Sequence, residues 1–148
     1  MEIFNESVLP RVPDAKLWMV CSDAPAAPGV EVLGKLSNEE LADRYGRAWV
    51  FCLPSTYEGF GVPYIEALAS GTAVVATPNV GAREILANGK WGVLSPDSVL
   101  ASNLIEILES EKLRHGLARA GRERALEFSW ESVIDRYEQL YEQVRRGH

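Results

Sequence analysis

The sequence predicts an α/β fold: a Rossmann-like parallel sheet with flanking helices, lacking its first strand and followed by C-terminal helices. Three observations carry this expectation. Short β-rich runs alternate with helical patterns, which implies parallel strands joined by crossover helices. Val50-Phe51-Cys52-Leu53 and Val74-Val75-Ala76 are apolar throughout, as strands covered on both faces are, and are expected as neighbours in the middle of the sheet. Beyond Pro96 the composition turns to helix formers.

Taken in order, Met1 to Pro10 read as a helix and Arg11 to Ala15 as a loop into strands at Lys16 to Cys21 and Val30 to Leu33. A doubly wound sheet that opens with a helix lacks the preceding strand. In the usual strand order that leaves a central slot between Lys16 to Cys21 and Val50 to Leu53, with unpaired backbone groups that favour strand exchange, dimerisation or rearranged pairing. Ser37-Asn38-Glu39-Glu40 is a capping box that opens a helix running to about Arg47. After the strand at Val50 to Leu53, Pro63 suits the first turn of a helix and Gly71 a left-handed C-terminal cap, so Pro63 to Ser70 is expected as a short helix. Ala73 to Ala76 and Gly92 to Leu94 read as strands, with a short helix at Arg83 and Glu84 between them. Three helices follow: Ser98 to Ser110, Glu111 to Glu127 and Ser129 to Arg145. In the last, Trp130, Val133, Ile134, Tyr137, Leu140, Tyr141 and Val144 recur at helical spacing. That face is expected to pack on the sheet, with an interface to another domain or chain as the alternative.

Composition narrows the function classes. A chain of 148 residues with 47% hydrophobic content is enough for one domain with a sizeable core. A formal charge of −6 with scattered acidic residues offers no basic surface for nucleic acid and no polybasic anchor. No apolar run approaches the ~18–20 residues of a transmembrane segment, and the first residues lack the pattern of a signal peptide, so a cytoplasmic location is expected. Cys21 and Cys52 lie in apolar strand-like runs and read as buried free thiols. His115 and His148 read as surface residues, and no cluster has metal-ligand spacing, so no metal or cofactor is expected.

The chemistry concentrates in Pro54 to Gly71, where Glu58 and Glu66 bracket a glycine-lined helix start. Carboxylates accept hydrogen bonds from sugar and ribose hydroxyls, and free N–H groups at a helix start favour an anion such as a diphosphate. Glu58 precedes the helix at a strand's C-terminal end, and Glu66 lies one turn in. The region fails as a dinucleotide fingerprint, because Tyr64 stands at the third glycine position of G-x-G-x-x-G. A hydrolase also uses paired carboxylates, about 5–10 Å apart, and spacing alone does not separate the two chemistries. Lys35 reads as a solvated lysine, and Glu84 as either a helix cap or a ligand contact.

Pro54-Ser55, Glu58-Gly59-Phe60-Gly61, Glu66-Ala67, Ala69 and Gly71 stand in the order of a known family, as do Gly34, Val80-Gly81, Glu84, Gly89, Gly92 and Phe128-Ser129-Trp130. Over essentially its whole length the sequence resembles the nucleotide-binding C-terminal domain of glycosyltransferase family 4, retaining enzymes of the GT-B type with two facing Rossmann-like domains. The resemblance implies that Glu58 lies near the transferred sugar and is the catalytic position. It implies that Glu66 holds the ribose, that Gly59, Phe60, Gly61 and Val62 approach sugar and diphosphate, and that Ser55 and Glu84 are further substrate contacts. The resemblance further implies a nucleotide-sugar donor and no required metal. Two positions depart from the pattern: Cys21-Ser22-Asp23 replaces a common Gly-x-Gly loop, and Ala73 a frequent proline. The basic residues that neutralise the diphosphate and the N-terminal acceptor domain are not in this sequence, so the chain alone is expected to be inactive. A binding or assembly module that needs a partner chain is the competing expectation.

Overall fold

Local signals set the element boundaries in the computed structural model, which describes residues 1–147; the expectation for His148 lies outside the described residues. Ser37 caps helix α1 (Asn38–Arg47) by accepting from the Glu40 amide, while Glu40 accepts from the Ser37 N–H at 2.8 Å, closing the capping box. Helix α2 (Val62–Ala69) stops where Gly71 adopts φ +75°. The Thr72 amide then reaches back to the Ala67 carbonyl and the Gly71 amide to Leu68, each at 3.0 Å, the paired bonds of a Schellman cap.

Five parallel strands form two groups. β1 (Leu17–Met19) pairs with β2 (Val30–Val32), and β3 (Val50–Leu53), β4 (Ala73–Ala76) and β5 (Val93–Leu94) follow in that spatial order. Phe51 lies opposite Val74, and Leu53 opposite Ala76. The fold class is as expected, with a parallel sheet flanked by helices. β4 is at most 1% exposed along its whole length because both faces are covered. Val74 and Ala76 join Tyr64, Leu68, Ile85 and Leu86 on one side, while Ala73 and Val75 join Leu100 and Ile107 on the other. Those residues come from α2, α3 (Val80–Ile85) and α4 (Asp97–Glu109), and α5 (Glu111–Leu126) packs against α2 and β4.

Among the described residues no ladder joins β1 to β3, so the sheet is interrupted at the slot the sequence left open. The N-terminal helical turn Phe4–Val8 packs against α4 and is tied to the loop before β2. Ile3 packs with the Val75–Leu100 cluster and Val8 is 1% exposed, while the Asn5 amide donates to the Pro28 carbonyl at 2.7 Å. On the other flank Trp18 of β1 faces the guanidinium groups of Arg44 and Arg47 from α1, at 4.8 and 5.7 Å from the ring centre.

Two expectations are corrected. β1 ends at Met19, so Cys21 sits in a bend beyond the strand and is half-buried, because the ladder with β2 stops at Val32. Cys52 does lie in a strand, as a free thiol packed against the Val75–Leu100 cluster but not fully enclosed. The final helix α6 (Trp130–Arg146) does not pack on the sheet: none of its residues is buried, and Trp130 is 82% exposed. Its apolar stripe of Ile134, Tyr137, Leu140, Tyr141 and Val144 faces outward, because α2, α3, α4 and α5 already cover the sheet.

Candidate functional site

The loop Pro54 to Gly61 leaves the C-terminal end of β3 and feeds α2, and buried polar groups hold it from below. Asn79 donates to the Ser55 carbonyl at 3.0 Å, to the Tyr64 hydroxyl at 3.2 Å and to the Thr77 carbonyl at 3.2 Å, while its own oxygen caps the Ala82 amide. Thr77 also donates to the Ser55 carbonyl, and the Ser55 hydroxyl donates to the Tyr57 carbonyl, so Ser55 is spent on shaping the loop. At the next turn the Gly81 amide donates to the Glu58 carbonyl at 3.0 Å. A Cβ at Gly81 would come within 2.8 Å of that carbonyl and 3.0 Å of the Phe60 backbone, so only glycine lets α3 approach this closely.

Gly61 takes φ +87° as the residue before α2, with the Tyr64 ring directly beneath it. In this conformation the amides of Gly59, Phe60, Gly61 and Val62 donate to no protein acceptor among the described residues. They precede a helix, whose first turn carries partial positive charge, and together they suit an anion. Glu58 is half-buried within this loop; Val62 and Glu66 lie one turn apart on the exposed face of α2. The Tyr45 hydroxyl, from α1, donates to Glu66 Oε2 at 3.3 Å. Burial pushes the Tyr45 phenol well above its ordinary range, and the charge and hydrogen bond of Glu66 add to the shift. Burial likewise raises Tyr64, partly offset by the Asn79 bond and reinforced by the charge of Glu58.

Phe60 at the loop tip is 54% exposed and meets Phe128 edge-on at 6.1 Å between ring centres. Arg124 lies over Phe128 and donates to the carbonyls of Ile85 and Glu84 at 3.0 Å each. The structure thus brings Ser55, Glu58, Gly59, Phe60, Gly61, Val62 and Glu66 onto one loop and helix. Glu84 lies on α3, one turn beyond Gly81, its side chain exposed and its backbone carbonyl accepting from Arg124. The helix start beside it is capped by Asn79, so capping is not the task of Glu84. Sequence reasoning missed Asn79 and Tyr45. An asparagine directly before a helical run was the available signal for the first, and Tyr45 carried none. A groove of about 830 Å³ between α2 and α5 is lined by Ile65, Ala69, Arg119 and Arg122 and contains neither glutamate. Among the described residues no three His, Cys, Asp or Glu side chains are placed to hold a metal ion.

Comparison with known proteins identifies the family and the fold. The model of the family "Glycosyl transferases group 1" matches residues 21–124. The chain is 40% identical over 148 aligned residues to the MMP alpha-(1->4)-mannosyltransferase of Mycolicibacterium hassiacum, covering 88% of this chain and 36% of the relative. It is 32% identical to the phosphatidyl-myo-inositol mannosyltransferase of Mycobacterium tuberculosis, covering 93% and 41%. Among solved structures, sucrose-phosphate synthase from Thermosynechococcus elongatus superposes with a TM-score of 0.77 at 29% identity, covering 95% of this chain and 41% of that one. The chain therefore spans about two fifths of the length of the proteins named here.

Proposed function

From the premise that the chain belongs to the group 1 glycosyl transferases, we propose that it is the C-terminal, donor-binding domain of a retaining, GT-B-type enzyme. In this reading a nucleoside diphosphate sugar lies across the start of α2. Glu66 holds the ribose hydroxyls, Glu58 orients the sugar, and the amides of Gly59 to Val62 meet the diphosphate. When the bond from the sugar's anomeric carbon to the diphosphate breaks and the acceptor oxygen takes its place, negative charge collects on the departing phosphate. Donors already aimed there stabilise that charge without reorganising. A group outside these residues, in a second domain or on the acceptor, receives the acceptor's proton, and we read the chain alone as inactive. Glu84, exposed on α3, is a further contact to the ligand, and Ser55 acts through the loop conformation. No resident cofactor takes part, and the domain works in the cytoplasm; among the described residues no helix is long and apolar enough to cross a membrane.

The observation that carries this reading is the run of four unpartnered amides at the head of a helix that bears Glu66 one turn further on. Both curated relatives named above are mannosyltransferases, so GDP and GDP-mannose are the first ligands to test, with UDP and ADP beside them. In calorimetric titration Glu66→Ala weakens nucleoside diphosphate binding by about tenfold or more, the loss of hydrogen bonds to a charged group. Unchanged affinity refutes the assignment. The outward apolar face of α6 favours a second reading, a module that serves chiefly to assemble with another chain; such a module binds none of these nucleotides.

A further inference from the structure

Glu66 stands on an open helix face, where a free glutamate visits several rotamers, yet one of its oxygens already has a donor. That donor is fixed from several sides. Tyr45 is 8% exposed, its ring meets Phe51 edge-on at 5.3 Å, and Phe51 in turn meets Tyr64 of α2 at 6.3 Å. Its backbone carbonyl accepts from the buried Thr72 hydroxyl, at the strand end of the Schellman cap. The aromatic ring therefore has little freedom, and its hydroxyl meets a carboxylate contributed by a different helix. A phenol already holds its proton at physiological pH and burial reinforces this, so Tyr45 is the donor to the Glu66 carboxylate.

We propose that Tyr45 is a positioning residue for the nucleotide: by occupying Glu66 Oε2 it holds the carboxylate in one orientation, with Oε1 presented to the vicinal hydroxyls of a ribose. This rests on the reading of Glu66 as the ribose-binding group. The physical gain is preorganisation. A long side chain ordered before the ligand arrives does not have to be ordered by it, and the tyrosine ring supplies that order from the core. The consequence is selectivity for the ribose diol, since a misaligned carboxylate engages one hydroxyl as readily as two.

The test is titration of the chain and its variants with the nucleoside diphosphate it binds, GDP, UDP or ADP, and with the 2′-deoxy counterpart. Tyr45→Phe keeps the ring and the backbone bond from Thr72, and it leaves Glu66 unpaired on the surface, where water replaces the lost donor. It lowers the preference for ribose over deoxyribose by about two- to tenfold, the scale of ordering one flexible side chain. Glu66→Ala abolishes the preference, and adding Tyr45→Phe to it changes nothing further. If Glu66→Ala leaves the preference intact, the ribose reading falls and the proposal with it. If Glu66→Ala abolishes it while Tyr45→Phe retains the parent value, or weakens both ligands equally, the positioning role is wrong and the ribose reading stands.

Discussion

Alanine at Gly81 is the most direct probe of how the loop is held. Gly81 has ordinary helical geometry on the first turn of α3, so helix propensity alone favours Gly81→Ala by up to about 1 kcal/mol. The structure argues for the opposite sign. The new methyl would sit 2.8 Å from the Glu58 carbonyl and 3.0 Å from the Phe60 carbonyl carbon, and both are backbone that cannot swing aside. Overpacking of this kind costs about 1–3 kcal/mol, and stretching the bond from the Gly81 amide to the Glu58 carbonyl adds about 1 kcal/mol. After the propensity offset a net loss of about 1–3 kcal/mol remains, or roughly 3–10 °C in melting temperature for a domain of this size. Relief of the clash moves Glu58 and the free amides, so nucleoside diphosphate affinity falls by about threefold or more. Gly116→Ala is the control: Gly116 lies inside α5 with nothing within 4 Å of the added Cβ, and the same substitution there stabilises by up to about 1 kcal/mol. Thermal unfolding followed by circular dichroism reads both. A Gly81→Ala variant that melts at or above the parent and binds equally well refutes the close-approach argument.

Asn79→Ala removes the bonds to Ser55, Thr77 and Tyr64 together with the cap on Ala82, in a buried setting, and lowers stability by about 2–4 kcal/mol in urea denaturation. A midpoint shift equivalent to less than about 1 kcal/mol shows the loop to be held by other means. Burial pushes the Cys52 thiol up to about 11. The folded state thus favours the neutral thiol, a contribution present in full below the ordinary thiol value and lost as pH rises toward about 11. Cys52→Ala therefore shows a shallower fall in stability across that alkaline window than the parent, and parallel curves contradict the burial argument.

What was legible in the sequence was local. The capping box of Ser37 and Glu40 and the cap at Gly71 are set by side chains and φ angles within a few residues, so the structure reproduces them. The two apolar runs were readable as neighbouring strands because a fully apolar run has few other uses, but only β4 is central: β3 lies at the edge of its group and is half-buried, and the run at Lys16 to Cys21 overshot its ladder. The last helix misled because periodicity says that one face is apolar without saying what lies against it; Trp130 and Tyr137 show the pattern of a packed face and have no cover. The candidate site divides the same way. Glu58 and Glu66 share one continuous stretch, whereas Tyr45 and Asn79 reach it from neighbouring elements and are joined to it only by folding.

The interruption between β1 and β3 leaves the smaller pair of strands without a ladder to the rest of the molecule. Among the ties to it are the Asn5 bond to Pro28 and the stack of Trp18 with two arginines, contacts of about 1 kcal/mol each. Such a region opens on its own well before the three-stranded part melts. Amide deuteration would therefore reach Leu17 to Met19 long before it reaches Val74 and Val75, giving the molecule one compliant shoulder beside a stiff one.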